Sequence, residues 1–201
     1  MDRRAFFRLG SRKVARVAVE QLDRKARQRA ARWIRPPYAL DELEFLLACT
    51  RCGDCIEACP EGILFRLPAR LGAEVAGTPA LNLVSGVCRL CQDWPCVAAC
   101  RPGALRRDEV APGRKDAPPR PPQLSRVVID TRRCLPYSGP ECGACAHACP
   151  VEGALGWEGP RPVIDAGRCV GCAACRAACV VEPAAIEVRS LYREGTDALP
   201  V

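Results

Sequence analysis

The sequence has little of what usually fills a protein core. Three Trp, three Tyr and four Phe are the only aromatic side chains in 201 residues, and there is one Met. A chain of this length forms one large or two small domains, and an ordinary core of that size wants more large side chains. Histidine is nearly absent too: His147 stands alone, which excludes a histidine-rich metal site. There is no G-x-G-x-x-G, no Walker loop and no nucleophile motif, so this chain is not expected to be an enzyme on its own residues. No apolar run approaches the length of a membrane span. The start, Arg3-Arg4-x-Phe6-Phe7, has the look of a twin-arginine signal but lacks its apolar stretch and small-residue cleavage site. Ser11, Arg12 and Lys13 follow, and charges continue to Arg35. The expected location is therefore cytoplasmic, with a periplasmic location through an atypical twin-arginine signal as the alternative.

What is abundant is cysteine, sixteen residues falling into four groups of four. Cys49, Cys52, Cys55 and Cys59 stand at C-x2-C-x2-C-x3-C in CTRCGDCIEACP, with Pro60 next. Cys169, Cys172, Cys175 and Cys179 repeat that spacing. Cys88, Cys91, Cys96 and Cys100 have one gap widened to four residues, and Cys134, Cys142, Cys145 and Cys149 have one widened to seven. A disulfide scaffold is disfavoured, because cysteines inside a C-x2-C-x2-C run cannot pair without strain. Structural zinc usually joins two separated C-x2-C pairs rather than four cysteines within eleven residues. The spacing is that of bacterial iron–sulfur proteins of the ferredoxin type, in which three thiolates wrap one cube and the fourth crosses to a sister cube. The expectation is four [4Fe-4S] clusters that use every cysteine.

The crossing rule, applied to adjacent runs, gives four sites: Cys49, Cys52, Cys55 with Cys100; Cys88, Cys91, Cys96 with Cys59; Cys134, Cys142, Cys145 with Cys179; and Cys169, Cys172, Cys175 with Cys149. Nested pairing, first run with fourth and second with third, is the rival. Gly53, Gly143 and Gly171 lie beside or between ligands, where a bare backbone lets N–H groups reach cluster sulfur. Ala58, Ala98, Ala99, Ala148, Ala177 and Ala178 occupy the x3 gaps, where a large side chain would strike a cube. His147 is a conceivable ligand, but each group already has four cysteines, so a neighbouring or surface imidazole is expected. Trp94 and Pro95 read as a lid over the second-run site.

Charge is unevenly placed. Residues 1–35 carry a net +9, and the rest of the chain −2, out of a total of +7. Each loaded cube with its thiolates adds roughly two negative charges, so the body becomes acidic beneath a basic tail. A nucleic-acid partner is therefore not expected.

In chain order, residues 1–35 form a basic N-terminal segment. Val14, Val17, Ala18, Leu22, Ala26, Ala30 and Trp33 recur at helical steps, predicting an amphipathic helix over 12–34. That helix either lies on its own body or docks to an acidic partner or an anionic membrane surface. Residues 36–110 form a first two-cluster module. A helix at 41–48, capped by Asp41, is expected to place Leu43, Leu46 and Leu47 over the first site. Strands are expected at 63–65 and 80–84. Residues 111–125, with five prolines, form a linker. Residues 126–192 form a second module with strands at 127–129, 162–164 and 185–188 and a turn at 153–155, and 193–201 is a tail. The fold class is α+β: two bacterial-ferredoxin-like modules with short strands and helices, plus the N-terminal helix.

Together these marks resemble a known family. Arg35-Pro36-Pro37 before an acidic helix, CTRCGDCIEACP, CRLCQDWPC, CLPYSGPEC and the closing Cys179–Val188 stretch are similar to the ferredoxin-type proteins of the MauM/NapG kind and the shorter, cytoplasmic NapF kind. The resemblance covers roughly residues 32–190. It implies four cluster sites on the sixteen cysteines and single-electron relay between a donor, quinol-linked or cytosolic, and a terminal reductase. The partners implied are a reductase or a quinol-oxidising membrane subunit, with peripheral membrane contact through the basic helix. The alternative is a maturation or assembly factor for a cofactor-containing reductase such as a periplasmic nitrate reductase.

Overall fold

The computed structural model describes the backbone of residues 3–107 and 121–193, and side chains from residue 16 onward. It begins with one long helix, α1 (Arg3–Ala30). Exposed i,i+4 pairs, Arg16 with Glu20 and Asp23 with Arg27, support it, and Arg27 and Arg29 sit in its last turn, where cations suit the helix dipole. The helix starts earlier than its apolar spacing indicates and stops at Ala30, because turn hydrogen bonds to the carbonyls of Arg29 and Ala30 close it ahead of Pro36 and Pro37.

From Val17 to Leu22 its apolar stripe does not lie on the body. Val17 and Leu22 are 55% and 56% exposed, and burial begins only at Ala30 and Trp33. The C-terminal end of α1 is nevertheless anchored. Arg27 reaches Asp41 at 3.3 Å, Arg29 reaches Glu74 at 2.9 Å, and the Ser190 hydroxyl donates to the Ala30 carbonyl at 2.7 Å.

The second helix, α2 (Glu42–Ala48), corrects two expectations. Asp41 makes no side-chain cap, its carboxylate being turned to Arg27. Leu47 is 80% exposed and covers nothing; Glu42 and Phe45 are the buried residues of this helix.

The rest consists of short pieces. α3 (Asp54–Glu57), α4 (Pro95–Ala98) and α6 (Ala174–Ala177) each follow a residue with positive φ: Gly53, Trp94 and Ala173. Each lies between the last two cysteines of its run or encloses one of them, so the repeat in the sequence becomes a repeat in backbone. α5 (Leu135–Ser138) fills the widened gap of the third run, and the chain makes turns over 144–148.

Strands pair in twos. β1 (Leu64–Arg66) runs antiparallel to β2 (Pro79–Leu81), with Leu64 opposite Leu81. β3 (Arg126–Ile129) pairs with β6 (Ile186–Arg189), Ile129 opposite Ile186. β4 (Leu155–Glu158) and β5 (Arg161–Ile164) form a hairpin. The turn expected at 153–155 is present through Ala154, whose N–H donates to the Val151 carbonyl at 3.2 Å, and β4 takes over at Leu155; its sequence, LGWE, carries too little apolar alternation to announce a strand, and the pairing with β5 makes it one.

The two cysteine-bearing halves share a core. Leu83, Cys88, Trp94 and Leu105 of the first pack in one buried cluster with Leu124, Val170, Cys172 and Ala173 of the second. The end of the proline-rich segment takes part. The Leu124 N–H donates to the Val170 carbonyl at 2.8 Å, and the buried Ser125 hydroxyl to the Gly171 carbonyl at 2.7 Å. Residues 111–120 lie outside the described residues.

Candidate iron–sulfur centres

All sixteen cysteines lie within the described residues and none is in a disulfide. The structure gathers them in groups that mix adjacent runs. Cys49, Cys52, Cys55 and Cys100 line one hollow, walled by Phe45, Pro79, Pro102, Ala104 and Leu105. Cys134, Cys142, Cys145 and Cys179 line another, with Leu135, Pro136, Pro162, Ala185 and Ile186 among its walls. Two further neighbourhoods follow from the electrostatics. Burial first, and then Cys59 and Cys88, push the Cys96 thiol up to about 12. Burial likewise raises Cys172, with Cys149 and Cys169 adding to it.

The same two causes act throughout. Cys55 and Cys88 are pushed up to about 11 and Cys175 to about 12, burial first and neighbouring thiols after it. Cys134 and Cys145 also move up through burial. A thiolate in such a place needs a strongly cationic group to offset lost solvation. Among the described residues no three Cys, His, Asp or Glu groups converge on a point suited to one metal ion. Four thiols ringing an apolar hollow instead suit a larger cationic body with several corners, so the donor set fits iron–sulfur cubes.

The surroundings are specific. Gly53, at φ +97°, sits against the Arg66 guanidinium, which donates to the carbonyls of Arg51 at 2.7 Å and Cys52 at 2.8 Å. The Leu105 N–H donates to Cys100 Sγ at 3.3 Å, the kind of contact that steadies a ligating sulfur. Trp94 is buried edge-on to Tyr38, ring centroids 5.1 Å apart, and packs in the core beside Cys88 and Cys96. His147 is exposed on the surface. Gly143 has open space about it, and Gly171 is pressed against Ser125. Arg66, Ser125 and Arg176 are neighbours of the cysteine runs that the sequence did not single out. Their roles come from distant pairings, and no local spacing marks them.

Comparison with known proteins bears on the same residues. A 4Fe-4S dicluster domain family matches residues 87–153. The methylamine utilization ferredoxin-type protein MauM of Paracoccus denitrificans is 40% identical over 167 residues, covering 79% of this chain and 71% of the relative. The chain belongs to the MauM/NapG family of ferredoxin-type proteins. MauM of Methylobacillus flagellatus is 35% identical over 201 residues, 93% of this chain and 83% of the relative. The ferredoxin-type protein NapG of Escherichia coli is 33% identical over 172 residues, 79% of this chain and 71% of the relative. No solved structure matches the chain. As a member of the MauM/NapG family the chain is a 4Fe-4S iron–sulfur protein of the electron-transport class. The dicluster match spans the second and third cysteine runs, whereas the two hollows join the first run to the second and the third to the fourth.

Proposed function

We propose that this chain holds four [4Fe-4S] clusters in two modules, residues 36–110 and 126–192, and relays single electrons between a donor, quinol-linked or cytosolic, and a terminal reductase. The first site is held by Cys49, Cys52, Cys55 and Cys100, and the second by Cys88, Cys91, Cys96 and Cys59. The third is held by Cys134, Cys142, Cys145 and Cys179, and the fourth by Cys169, Cys172, Cys175 and Cys149. The observation that carries this reading is the make-up of the two hollows: each is lined by three cysteines of one run and the last cysteine of its neighbour.

Bound clusters supply one-electron oxidation and reduction with little change of shape. The chain's own residues do the rest. The cysteines fix position. Phe45, Leu105 and Ala104 on one side, and Pro136, Pro162 and Ala185 on the other, keep water from the hollows. Hydrogen bonds to sulfur and the nearby Arg66 charge favour the reduced form, which carries more negative charge. The relatives' names tie them to methylamine utilization in the MauM case, and that is the setting in which to seek a donor or acceptor.

Cys149→Ala tests the assignment. Its reduced spectrum should lack the same signal that Cys172→Ala lacks, because both would ligate the fourth site. If the missing signal is instead the one lost in Cys91→Ala, the runs are paired second with third and the assignment fails.

A further inference from the structure

The two halves meet at a particular place. The Cys88 N–H donates to the Cys172 carbonyl at 3.0 Å, a direct hydrogen bond between the second and fourth cysteine runs. The contact is held on each side. Leu124 and Ser125 bind the carbonyls of Val170 and Gly171, and Arg176, between Cys175 and Cys179, donates from Nε to the Val84 carbonyl at 3.1 Å, four residues before Cys88. A Cβ on Gly171 would run into the Ser125 backbone, so only glycine allows this approach. Val170, Cys172 and Ala173 are buried in the same core as Cys88, Trp94 and Cys96. The first and third runs are placed otherwise: their hollows are walled by residues of their own halves.

We infer that electrons cross between the halves at the Cys88–Cys172 contact, so that the four sites form one line in the order first, second, fourth, third. This rests on the four-site reading above. Within each half the neighbours are already set, because Cys100 of the second run lines the first hollow and Cys179 of the fourth run lines the third. The step is a bare electron transfer. One electron leaves the reduced group on one side and enters the oxidised group on the other, with no bond made and no proton moved. Tunnelling falls steeply with distance and is helped by bonded and hydrogen-bonded paths, and the Cys88 N–H to Cys172 carbonyl bond is such a path. The line ends at the first and third sites. Exposed apolar side chains stand there for partners to cover: Leu47 beside the first run, and Trp157 and Val180 on the wall of the third-site hollow.

The test is magnetic and uses the full chain. Each variant removes one cluster, and the dithionite-reduced protein is examined by electron paramagnetic resonance for spin–spin coupling. Cys52→Ala or Cys142→Ala removes an end of the line and should leave every remaining spin coupled to a neighbour. Cys91→Ala or Cys169→Ala removes an inner site, strands an end site, and should give a narrow, uncoupled component. The opposite pattern, or the same pattern in all four, overturns the order. Iron content of wild type near the four-cluster value with the wrong pattern sinks the crossing alone, whereas low iron in wild type sinks the four-site reading. If a variant loses more than one cluster, hydrogen exchange in the loaded wild type decides: the Cys88 and Leu124 amides should be protected as core amides are, and exchange at the rate of an open loop overturns the contact.

Discussion

Arg35 and Glu42 form a buried, two-pronged ion pair: Nη2 donates to Oε1 at 2.6 Å and Nε to Oε2 at 2.9 Å. The remaining contacts gather distant parts of the chain around it. Arg35 Nη1 donates to the Thr78 hydroxyl and the Pro79 carbonyl, Trp33 Nε1 donates to Glu42, and the Glu42 N–H donates to the Tyr192 hydroxyl. The guanidinium also lies over the Phe45 ring, 4.4 Å from its centroid. The pair therefore ties the end of α1, the loop before β2 and the C-terminal side of β6 to the wall of the first hollow.

Glu42→Ala leaves a buried guanidinium without its carboxylate, a loss of about 3–5 kcal/mol. Thermal melting of the loaded protein should show a clear drop, with iron lost first on heating. Arg35→Met with Glu42→Leu removes both charges and should melt close to wild type, since apolar replacement of a whole buried pair is often neutral.

Gly53→Ala puts a side chain into a left-handed position, costing about 1–3 kcal/mol, and drives it against Arg66. The first site should load poorly while the others stay filled, so that iron falls by about a quarter of the four-cluster content. Adding Arg66→Ala should restore part of the loss. Equal loss from every site would show that Gly53 serves folding generally.

Much of this was legible in the sequence because cysteine spacing is local. The runs, the short turns between ligands and the strands at Leu64, Val127, Val163 and Ile186 follow from neighbours a few residues apart. What was not legible depends on distant partners. Arg35 reads as the end of a helix and is instead a buried clasp, because Thr78 and Pro79 arrive from more than forty residues away. Asp41 has the spacing of a cap, yet Arg27 takes its carboxylate. Leu47 fits an apolar stripe but points outward, because Phe45 and Glu42 fill the inner face of α2. The Cys88–Cys172 contact has no local mark at all.

Removing iron should unravel the short helices. α3, α4 and α6 have four residues each, far below the length at which a helix persists alone. Ligation supplies their stability. Chelation under denaturant-free conditions should lower far-ultraviolet circular dichroism beyond what loss of cluster absorbance explains, while α1 retains its helical signal. An unchanged spectrum would mean that the packed side chains hold the fold without metal.

Deleting residues 1–22 removes most of α1, including the exposed Val17 and Leu22, and spares the anchors from Asp23 onward. Iron content should be unchanged, and co-sedimentation with anionic vesicles should fall. The wild-type binding itself should weaken with salt, since exposed charges are screened beyond about 8 Å at physiological ionic strength. A cut at residue 31 is a different experiment, because it also takes Arg27, Arg29 and Ala30, which hold Asp41, Glu74 and Ser190. Equal vesicle binding with and without residues 1–22 would remove the membrane from the account.

The central claim is that all sixteen cysteines hold four cubes. Iron and acid-labile sulfide in the anaerobically purified full chain measure it directly. About sixteen irons and about sixteen sulfides per chain are expected. About eight of each, or stoichiometric zinc without broad visible absorbance, would contradict it.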